Sequence, residues 1–555
     1  MTAESWIIDG YVDEPACLGV PPYLSPYIRT IAGVMVESGY NVRYCTVDQM
    51  RSDTTYIRDA SHADLVVMIA GVTVPGKYLG GTPASYTDIR QIGSALATPV
   101  TFLGGPVLFG MSTGGGVKAV RSVDFGFDHL LEGYPAEALH SYLSGSEPVG
   151  NLSYEDEDRW NILGSGILTQ HPLYPYVMCE IETARGCPRS RSGGCSFCTE
   201  PFYGEPRYRS VAGIASEVAA LYRSGARHFR LGRQPDLLSY QSGAGENPRP
   251  VPDKISDLFH AVRTAAPELR TLHIDNVNPG TIARYPEESR EALEAIIRYH
   301  TPGDVAAFGM ETADPAVVEA NNLKADPEMV LEAIRIVNEA GSVRREGIPE
   351  LLPGLNFIAG LAGETANTYR LNIEFLERVA GEGLLIRRVN IRQLMPFEGT
   401  KAWDANTLPV DEGSFRTFKE EIRKSFDLPM LRKVFPTGTI LHQVIIEESG
   451  DLSYGRQLGS YPILVGIPLR LSKGSQISCT VVDHGMRSIT ALPWPIPINS
   501  LPVKTLKWIP GIQKKAMVKI LAKRPFNSRE ELETAAGCSF PPDLFSFISP
   551  AAPSQ

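Results

Sequence analysis

Six apolar stretches, each followed by a helical pattern, occupy residues 177–394 and constrain the fold of this chain more than any other feature. Alternation of strand and helix is the pattern of a parallel sheet, because parallel strands need crossover connections. The predicted strands are Val177–Thr183, His228–Gly232, Thr271–Asp275, Val305–Met310, Leu355–Gly360 and Val389–Leu394. Six such units predict an open, partial TIM barrel, in which chemistry is expected at the carboxyl ends of the strands.

The chain of 555 residues is too long for one compact core, so several domains are expected. Residues 1–150 alternate short strands and helices and predict a Rossmann-like α/β domain, with strands at Trp6–Asp9, Val42–Thr46, Leu65–Ala70 and Val100–Leu103. Residues 151–175 are polar and are interpreted as an irregular linker.

The predicted barrel domain occupies residues 176–432. Residues 433–498 are rich in β-branched residues and glycine, which indicates a small antiparallel β-barrel. Residues 499–555 contain two predicted helices, about Val503–Ile509 and Lys514–Lys523, and a tail. The fold class is therefore a multidomain α/β protein with a small β-barrel near its C-terminus.

Composition restricts the cellular setting. No apolar run approaches the roughly 20 residues that span a bilayer, and no basic and then apolar leader begins the chain. We therefore expect a cytoplasmic protein with no membrane partner. The net charge of −10 argues against a wholly electrostatic nucleic-acid binder, although a local basic patch is compatible with it.

Four of the eight cysteines lie close together, at Cys179, Cys187, Cys195 and Cys198. In a large chain without a secretion signal such a group indicates a metal site before it indicates disulfides. The last three lie after the first predicted barrel strand, and three thiolates can hold three irons of a cubane cluster. The alternatives are a zinc site, with Cys179 as a fourth ligand, and buried thiols without a metal.

The segment from Cys187 to Cys198, with the aromatic Phe197 before the last cysteine, resembles the motif of the radical S-adenosylmethionine (SAM) superfamily. It departs from that motif because seven residues, rather than three, separate Cys187 from Cys195; residues 189–194 are expected to loop out. The resemblance implies a 4Fe–4S cluster on the three cysteines, with SAM on the open iron and Phe197 against the adenine. It also implies an external electron donor and reductive cleavage of SAM to a 5′-deoxyadenosyl radical.

Polar residues stand at the end of each later predicted strand, as that resemblance requires. Gln234 and Asp236 are candidates for the SAM ammonium group, and Glu311 and Thr312 match a ribose-binding segment of related subfamilies. Any one of them alone would be an ordinary turn or helix cap. The candidate SAM-binding residues are Gln234, Asp236, Asp275, Asn276, Asn278, Glu311, Thr312, Asn356 and Arg392.

The flanking domains carry weaker resemblances. The N-terminal domain resembles a cobalamin-binding module, but residues 9–15 lack the histidine of its Asp-x-His-x-x-Gly loop, so no cobalamin is expected. Residues 455–493 resemble a TRAM or OB-like RNA-binding barrel, and residues 509–516 a helix-hairpin-helix; a structural barrel and a plain helical hairpin are the alternatives. The candidate RNA-binding residues are Arg456, Tyr461, Arg470, Arg487, Gly511, Lys514 and Lys515.

The whole arrangement resembles the archaeal radical SAM family of the archaeosine synthase radical subunit. That resemblance implies a C–N lyase acting on the lysine adduct of 7-cyano-7-deazaguanine at tRNA position 15, with tRNA and the lysine-inserting subunit as partners. Candidate substrate-binding residues at the barrel mouth are Glu200, Phe202, Tyr203 and Arg207.

Two further hypotheses remain open at this point. A methylthiotransferase-like enzyme would need three cysteines for a second cluster in the N-terminal domain, where only Cys17 and Cys45 occur. An RNA-binding protein with a purely structural cluster would not need the polar strand ends.

Overall fold

The computed structural model describes most of the chain. The described residues are 3–14, 17–71, 80–96, 99–112, 114–121, 124–147, 153–405, 407–408 and 410–547. Residues 151–152 of the predicted linker and 548–555 of the predicted tail lie outside them.

The N-terminal domain is built on a five-stranded sheet in which every neighbouring pair is parallel. In spatial order its strands are Asn41–Thr46, Glu4–Asp9, Leu65–Ile69, Val100–Gly104 and His129–Leu131. This 2-1-3-4-5 order is that of a doubly wound α/β domain, as predicted. The helices are Pro26–Glu37, Val47–Ser52, Thr55–Ala60, Tyr86–Ala95 and Pro135–Ser144.

The predicted irregular linker is wrong, because its described residues are largely helical. An α-helix occupies Tyr154–Leu163 and a 3₁₀ helix follows at Gly164–Gln170. Ser153 caps the first helix by accepting a hydrogen bond from the Asp156 amide. Trp160 is only 1% exposed and donates from Nε1 to Glu37 at 2.6 Å. The segment is polar because one face of its helix is exposed, not because it is unstructured.

The six predicted barrel strands are confirmed, in two adjoining sheets. We number them barrel strands 1–6 in chain order: Met178–Glu182, His228–Gly232, Thr271–Ile274, Asp304–Glu311, Leu351–Ala359 and Arg388–Gln393. Strands 1–3 form one parallel sheet and strands 4–6 another. A parallel bridge from Asn276 to Ala307 joins the two sheets. The result is a partial, open barrel of the predicted kind.

Helices cover the outside of the barrel and continue beyond strand 6. Between the strands lie Val211–Arg223, Pro252–Ala265, Pro279–Arg284, Pro286–Tyr299, Pro315–Ala320, Pro327–Gly341 and Ala366–Gly381. Lys401–Ala405, Glu412–Ile422 and Leu428–Val434 follow strand 6, with one π-helical turn at Arg423–Asp427. None of the helices in the described stretches is long and apolar enough to cross a membrane.

The N-terminal region contributes directly to the barrel. Tyr23–Leu24 pairs in parallel with barrel strand 1 and so extends the first sheet by a short strand. Arg29 lies on the helix Pro26–Glu37. Its buried guanidinium donates to Glu217 at 2.7 Å and also to the carbonyl oxygen of Glu180 in strand 1. A buried charge needs such a partner, so this pair fixes the helix against the barrel.

The predicted small barrel closes from five strands, in the order Ile440–Glu448, Ser453–Arg456, Leu464–Ile467, Ser488–Pro493 and Gln476–His484. It is not wholly antiparallel, since Leu464–Ile467 runs parallel to Ser488–Pro493. After it come the short helix Val503–Leu506, the helices Lys514–Lys523 and Arg529–Ala536, and a two-stranded pair. The first predicted tail helix is therefore shorter than expected.

The loop at residues 458–461 connects the small barrel to the barrel of strands 1–6. The amide of Ser460 donates to His273 Nδ1 at 2.8 Å and its hydroxyl donates to the carbonyl oxygen of Ile274 at 2.8 Å. From the other side, Tyr23 Oη donates to the carbonyl oxygen of Gly459 at 2.7 Å. The small barrel is thus joined to strand 3 through specific buried hydrogen bonds.

Candidate active site at the carboxyl ends of the barrel strands

The cysteine loop begins where barrel strand 1 ends. Gly186, immediately before Cys187, has φ +95°, which glycine adopts without a steric penalty. The Ser190 amide then donates to the carbonyl oxygen of Cys187 at 2.9 Å, and the Gly194 amide to that of Arg189 at 2.8 Å. The seven-residue spacing is therefore absorbed by consecutive tight turns.

Arg189 lies between the first two thiols. Its amide donates to Cys187 Sγ at 3.4 Å and its guanidinium Nη1 lies 3.7 Å from Cys195 Sγ. The Cys198 amide donates to the carbonyl oxygen of Cys195 at 3.2 Å, so the third cysteine follows in a turn. The three thiols therefore lie in one pocket, beside a guanidinium that can offset thiolate charge.

The thiols fit a cluster better than a single ion. Within the described stretches, no group of three or more His, Cys, Asp or Glu side chains is arranged to hold one metal ion. A cubane presents a separate iron to each thiolate, so its ligands need not converge on one point. Burial raises the pKa of Cys187 to about 11 and also raises that of Cys195 and Cys198, so stable thiolates require the positive charge of bound iron.

Cys179 does not complete a zinc site. It lies within barrel strand 1, fully buried in the main hydrophobic core with residues such as Ile214 and Val218 of the outer helix. A strand residue on the helix-covered face points away from the end of the strand. The zinc alternative therefore lacks its fourth ligand.

Sequence reasoning missed the residues after the helix Pro315–Ala320 that brace the cysteine loop. Arg189 Nη2 donates to the carbonyl oxygen of Asn322 at 2.6 Å, and Asn322 Nδ2 donates to that of Gly194 at 2.8 Å. The ammonium of Lys324 opposes the rise in the pKa of both Cys187 and Cys195. These residues follow a helix rather than a strand end, so the pattern of polar strand ends did not mark them.

Gln234, Glu311 and Arg392 retain polar atoms that could contact SAM. Gln234 Oε1 and Glu311 Oε2 are buried without a hydrogen-bond partner in the described structure. Glu311 also has φ +64°, a strained conformation for a non-glycine residue. Burial raises its pKa to about 7, against the opposing charges of Lys324 and Arg392, and the Arg392 side chain is exposed.

Other SAM candidates are engaged within the protein. Asp236 accepts hydrogen bonds from the amides of Leu238 and Asn278 and, at 2.7 Å, from the Thr281 hydroxyl. Asn278 caps the helix Pro279–Arg284. Within the protein these oxygens hold the strand 3 loop, and the contact of both residues with SAM stays a prediction.

Thr312 and Asn356 also serve the framework. The Thr312 hydroxyl accepts a hydrogen bond from the Asp314 amide at 3.1 Å and contacts Asn372 Oδ1. Asn356 donates to the carbonyl oxygen of Phe308 and accepts from Asn390. They position strands 4–6, and the contact of their side chains with SAM stays a prediction.

Asp275 and Asn276 occupy the end of strand 3. Asp275 pairs with Arg230 at 3.3 Å and accepts a hydrogen bond from Tyr461 Oη at 3.2 Å. Asn276 Nδ2 donates to the carbonyl oxygen of Gln234 at 3.3 Å. Asp275 therefore belongs to a buried ionic network, whereas Asn276 orients the backbone beside Gln234.

The predicted substrate residues Glu200 and Tyr203 belong to a second buried network. Both oxygens of Glu200 accept hydrogen bonds from Arg233 Nη1 at 3.0 Å. Tyr203 Oη donates to Glu14 Oε2 at 3.1 Å, and Glu14 Oε1 lies 3.1 Å from Arg233 Nε. Both side chains are engaged within the protein, and their role in substrate binding stays a prediction.

Phe202 and Arg207 differ in their position. Phe202 is 38% exposed and packs edge-on against Phe109 of the N-terminal domain, at a centroid distance of 5.5 Å. The Arg207 guanidinium lies 5.0 Å from the ring centroid of Tyr154 and 5.8 Å from that of Tyr134. Phe202 presents an exposed ring, whereas Arg207 makes cation–π contacts with two aromatic rings. The role of both in substrate binding stays a prediction.

The N-terminal domain supplies two carboxylates to the site that sequence reasoning missed. Asp13 and Glu14 form a short strand after the first strand of the sheet, and both are buried. Burial raises the pKa of Asp13 to about 6, and the charge of Arg392 is the largest opposing effect. The loop that would hold cobalamin in a cobalamin module here contributes carboxylates to the barrel.

Two predicted RNA-binding residues make contacts within the protein, and their RNA-binding role stays a prediction. Tyr461 directs its phenol to Asp275 inside the catalytic barrel. Arg456 pairs with Glu447 through bonds of 2.7–3.1 Å and its side chain is only 14% exposed. Arg470 remains largely exposed, 3.6 Å from Asp451.

The other predicted RNA-binding residues remain exposed. They are Arg487, Gly511, Lys514 and Lys515. Gly511 has φ +85° in the turn before the helix Lys514–Lys523, a conformation that favours glycine. The backbone amides at the start of that helix lie beside two lysines, which is an arrangement that attracts anions.

Comparison with known proteins agrees with this site. Residues 181–376 match the radical SAM superfamily. The chain is 40% identical to an uncharacterized protein of Archaeoglobus fulgidus over 96% of this chain and 97% of that one. It is 41% identical to the uncharacterized protein MJ0274 of Methanocaldococcus jannaschii over 88% and 93% of the two chains.

More distant similarities extend to characterised proteins. The ribosomal protein uS12 methylthiotransferase RimO of Polynucleobacter asymbioticus is 25% identical over 56% of this chain and 68% of its own. The solved structure of the radical SAM methyltransferase TsrM from Kitasatospora setae, with cobalamin and a [4Fe-4S] cluster bound, superposes with a TM-score of 0.49 at 13% identity, covering 72% of this chain and 77% of that one.

The partial barrel and its cysteine loop define a radical SAM enzyme, whose cofactors are a 4Fe–4S cluster and SAM. Cys187, Cys195 and Cys198 are the residues that would hold the cluster. Within that superfamily, the chain belongs to the same family as the A. fulgidus and M. jannaschii proteins.

Proposed function

We propose that this enzyme modifies tRNA by cleaving a C–N bond in the lysine side chain of the lysine adduct of 7-cyano-7-deazaguanine at position 15, leaving archaeosine. The observation that supports RNA as the substrate is the packing of residues 458–461 of the small barrel against barrel strand 3. Small β-barrels of this size commonly bind looped nucleic acid. RNA held on such a barrel would lie close to the catalytic barrel.

The mouth of the catalytic barrel supports an amino-acid substrate group. The exposed Arg392 and the buried Asp13 lie within electrostatic reach of each other. A guanidinium suits the carboxylate of lysine, and a carboxylate suits its ammonium. In this proposal Arg392 and Asp13 hold the two charged ends, and the exposed Phe202 packs against the aliphatic chain.

The cluster and SAM, when bound, supply a 5′-deoxyadenosyl radical that abstracts hydrogen. The protein's own task is to position the groups and to exclude water. Gln234 Oε1 and Glu311 Oε2 are the buried acceptors that we assign to SAM. Protonated Glu311 could also donate a hydrogen bond, because burial raises its pKa to about 7.

Contacts to the tRNA backbone are assigned to the exposed cations of the C-terminal region. The turn at Gly511 with Lys514 and Lys515 would hold a phosphate as a helix-hairpin-helix does, without reading sequence. Arg470 and Arg487 of the small barrel would add charge. An electron donor and the lysine-inserting enzyme that makes the substrate are the further partners in this proposal.

A methylthiotransferase is the second candidate, and the similarity to RimO favours it. It needs a second cluster, and the first 150 residues contain only Cys17 and Cys45. Both thiols are buried, in the separate strands Cys17–Leu18 and Asn41–Thr46. These positions favour an enzyme with one cluster.

The test is an anaerobic reaction of the reconstituted, reduced full-length protein with SAM and tRNA that carries the lysine-modified base. Nucleoside mass spectrometry should detect archaeosine together with 5′-deoxyadenosine. Cys198→Ala should abolish both products, whereas Cys538→Ser, a change outside the loop, should retain them. Deoxyadenosine without archaeosine would overturn the proposed substrate, and a methylthiolated product would establish the second candidate.

A further inference from the structure

A cavity at the opposite end of the catalytic barrel is lined by arginines, of which the proposed function uses only Arg487, as a contact to the tRNA backbone. It lies between the start of barrel strand 6, the helix Leu428–Val434 and the small barrel, with a volume of about 80 Å³. Its polar lining residues are Arg387, Arg388, Asp427, Tyr461 and Arg487. Since Arg388 begins strand 6, the cavity lies at the amino ends of the strands, away from the cysteine loop.

The cavity has too few negative charges for its arginines. Arg423 also lies beside it and forms an ion pair with Asp427, the single carboxylate among the cavity-lining residues. Arg387, Arg388 and Arg487 therefore share no further carboxylate in that lining. Burial, and to a smaller extent the charges of neighbouring arginines, lower the pKa of Arg387 to about 9 and that of Arg388 to about 10.

Other titratable groups around the cavity do not remove this excess. Lys419, on the helix Glu412–Ile422, adds a further positive charge near the cavity. Burial and the charges of Arg423 and Arg487 lower the pKa of its ammonium group. The charge of Glu412 raises the pKa of Lys419, but Glu412 is not among the residues that line the cavity. Arg392 further along strand 6 also lowers the pKa of Arg388.

The side-chain geometry leaves donors available in the cavity. Nε of Arg387 and Nε of Arg388 are buried without a hydrogen-bond partner in the described structure. The Arg388 guanidinium stacks 4.3 Å from the ring centroid of Tyr461, and Arg387 Nη2 donates to the Tyr461 carbonyl oxygen at 2.9 Å. The ring and the carbonyl oxygen of Tyr461 hold the two guanidinium groups in place, which is the preorganisation that bidentate oxyanion binding needs.

We propose that this cavity binds a phosphate group between Arg388 and Arg487. The volume is several times the roughly 10–15 Å³ that a single water requires, enough for a tetrahedral oxyanion but small for a nucleoside. An exposed Arg487 at the rim admits either a free phosphate or a phosphate of an RNA backbone. The site does not depend on the proposed reaction, since none of its residues contacts the cysteine loop in the described structure.

The first experiment measures thermal unfolding of the full-length protein in inorganic phosphate and in chloride at equal ionic strength. A ligand that binds the folded state raises the midpoint in a saturable way. The wild type and Arg298→Gln, a change on the distant helix Pro286–Tyr299, should show this rise. Arg388→Gln and Arg487→Gln should bind phosphate about tenfold more weakly, the effect of losing one charge-assisted hydrogen bond.

A second measurement separates a ligand site from a structural arginine. In chloride alone Arg388→Gln should be as stable as the wild type or more stable, because it removes repulsion among guanidinium groups. A variant destabilised equally in both buffers would overturn the proposal, as would an equal response to phosphate in the wild type and in both cavity variants.

The source of the phosphate is decided by a third measurement, the affinity of the same proteins for unmodified tRNA. If both Arg388→Gln and Arg487→Gln bind tRNA more weakly than the wild type, and added phosphate does not restore the affinity, the site is assigned to the RNA backbone. Unchanged tRNA affinity with a phosphate-dependent midpoint would assign it to a free phosphate. No effect of the variants on phosphate or tRNA binding would overturn it. These outcomes are separate from archaeosine formation, so the proposed reaction and this site can fail independently.

Discussion

Tyr461 of the small C-terminal barrel donates a hydrogen bond from its phenol to Asp275 Oδ1, at 3.2 Å, inside the catalytic barrel. Its backbone has φ +50°, and Arg388 lies over its ring. One residue therefore contacts both the ionic network at the end of strand 3 and the arginine cavity at the start of strand 6.

Tyr461→Phe removes this hydrogen bond and leaves Asp275 with fewer partners. We expect the free energy of unfolding to fall by about 1–3 kcal/mol, the usual cost of an unsatisfied buried acceptor. Urea unfolding measures the change. Tyr454→Phe, a matched substitution in the neighbouring strand Ser453–Arg456, is the control, and an equal loss in the two variants would contradict the importance of the contact.

Lys324→Gln should make the cluster harder to reduce. The Lys324 ammonium acts on Cys187 and Cys195, and removing a nearby positive charge disfavours an added electron. The midpoint potential should shift by tens of millivolts to more negative values, on the order expected for one screened charge. Redox titration followed by EPR measures it, with the surface change Lys254→Gln as control; a shift in the opposite direction would refute the assignment.

Asp9 should make the stability of the N-terminal domain depend on pH. Burial raises its pKa from 3.8 to about 7, although it accepts hydrogen bonds from Tyr44 and the Tyr11 amide. Between those two pH values the folded protein binds more protons than the unfolded chain, so stability falls as pH rises. The stability gained by Asp9→Asn relative to the wild type should therefore grow as the pH rises from about 4 to about 7.

Denaturant unfolding of both proteins at several pH values measures the difference and cancels the other titrating groups. Asp64→Asn, a partly exposed change in the same domain, provides the control. A difference between wild type and Asp9→Asn that stays constant across the window would show that Asp9 keeps the same pKa on unfolding.

Trp160→Ala tests whether residues 153–170 are a folded part of the protein. The indole is 1% exposed and packs against the helix Pro26–Glu37, so its loss should cost about 3–5 kcal/mol. Leu163→Ala, on the exposed side of the same helix, should cost much less. Similar small losses in both variants would support a loosely attached linker after all.

The catalytic fold could be predicted because its signals are local. Each barrel strand is a short apolar run followed by a helix, and the strands were found within a few residues of their observed bounds. The helix Tyr154–Leu163 was missed because its exposed face makes the segment polar, although Ser153 and Asp156 form a recognisable helix start.

The roles of individual site residues could be predicted less well, since they depend on partners far away in sequence. A carboxylate at a strand end is readable, but Asp236 is occupied by Asn278 and Thr281, more than 40 positions away. An aromatic residue beside arginines suggested RNA contact for Tyr461, whereas its partner Asp275 lies 186 positions earlier. Asp13 reaches the barrel only through the docking of two domains.

The short strand Tyr23–Leu24 and the Arg29–Glu217 pair have a consequence for how this enzyme can be divided. A chain shortened to begin at residue 176 would expose an open sheet edge beside Met178 and would leave the buried Glu217 with one arginine fewer. Residues 23–29 are thus part of the packed barrel structure. Over evolution, the N-terminal domain could be exchanged for another only if the replacement brought an equivalent edge strand and arginine with it.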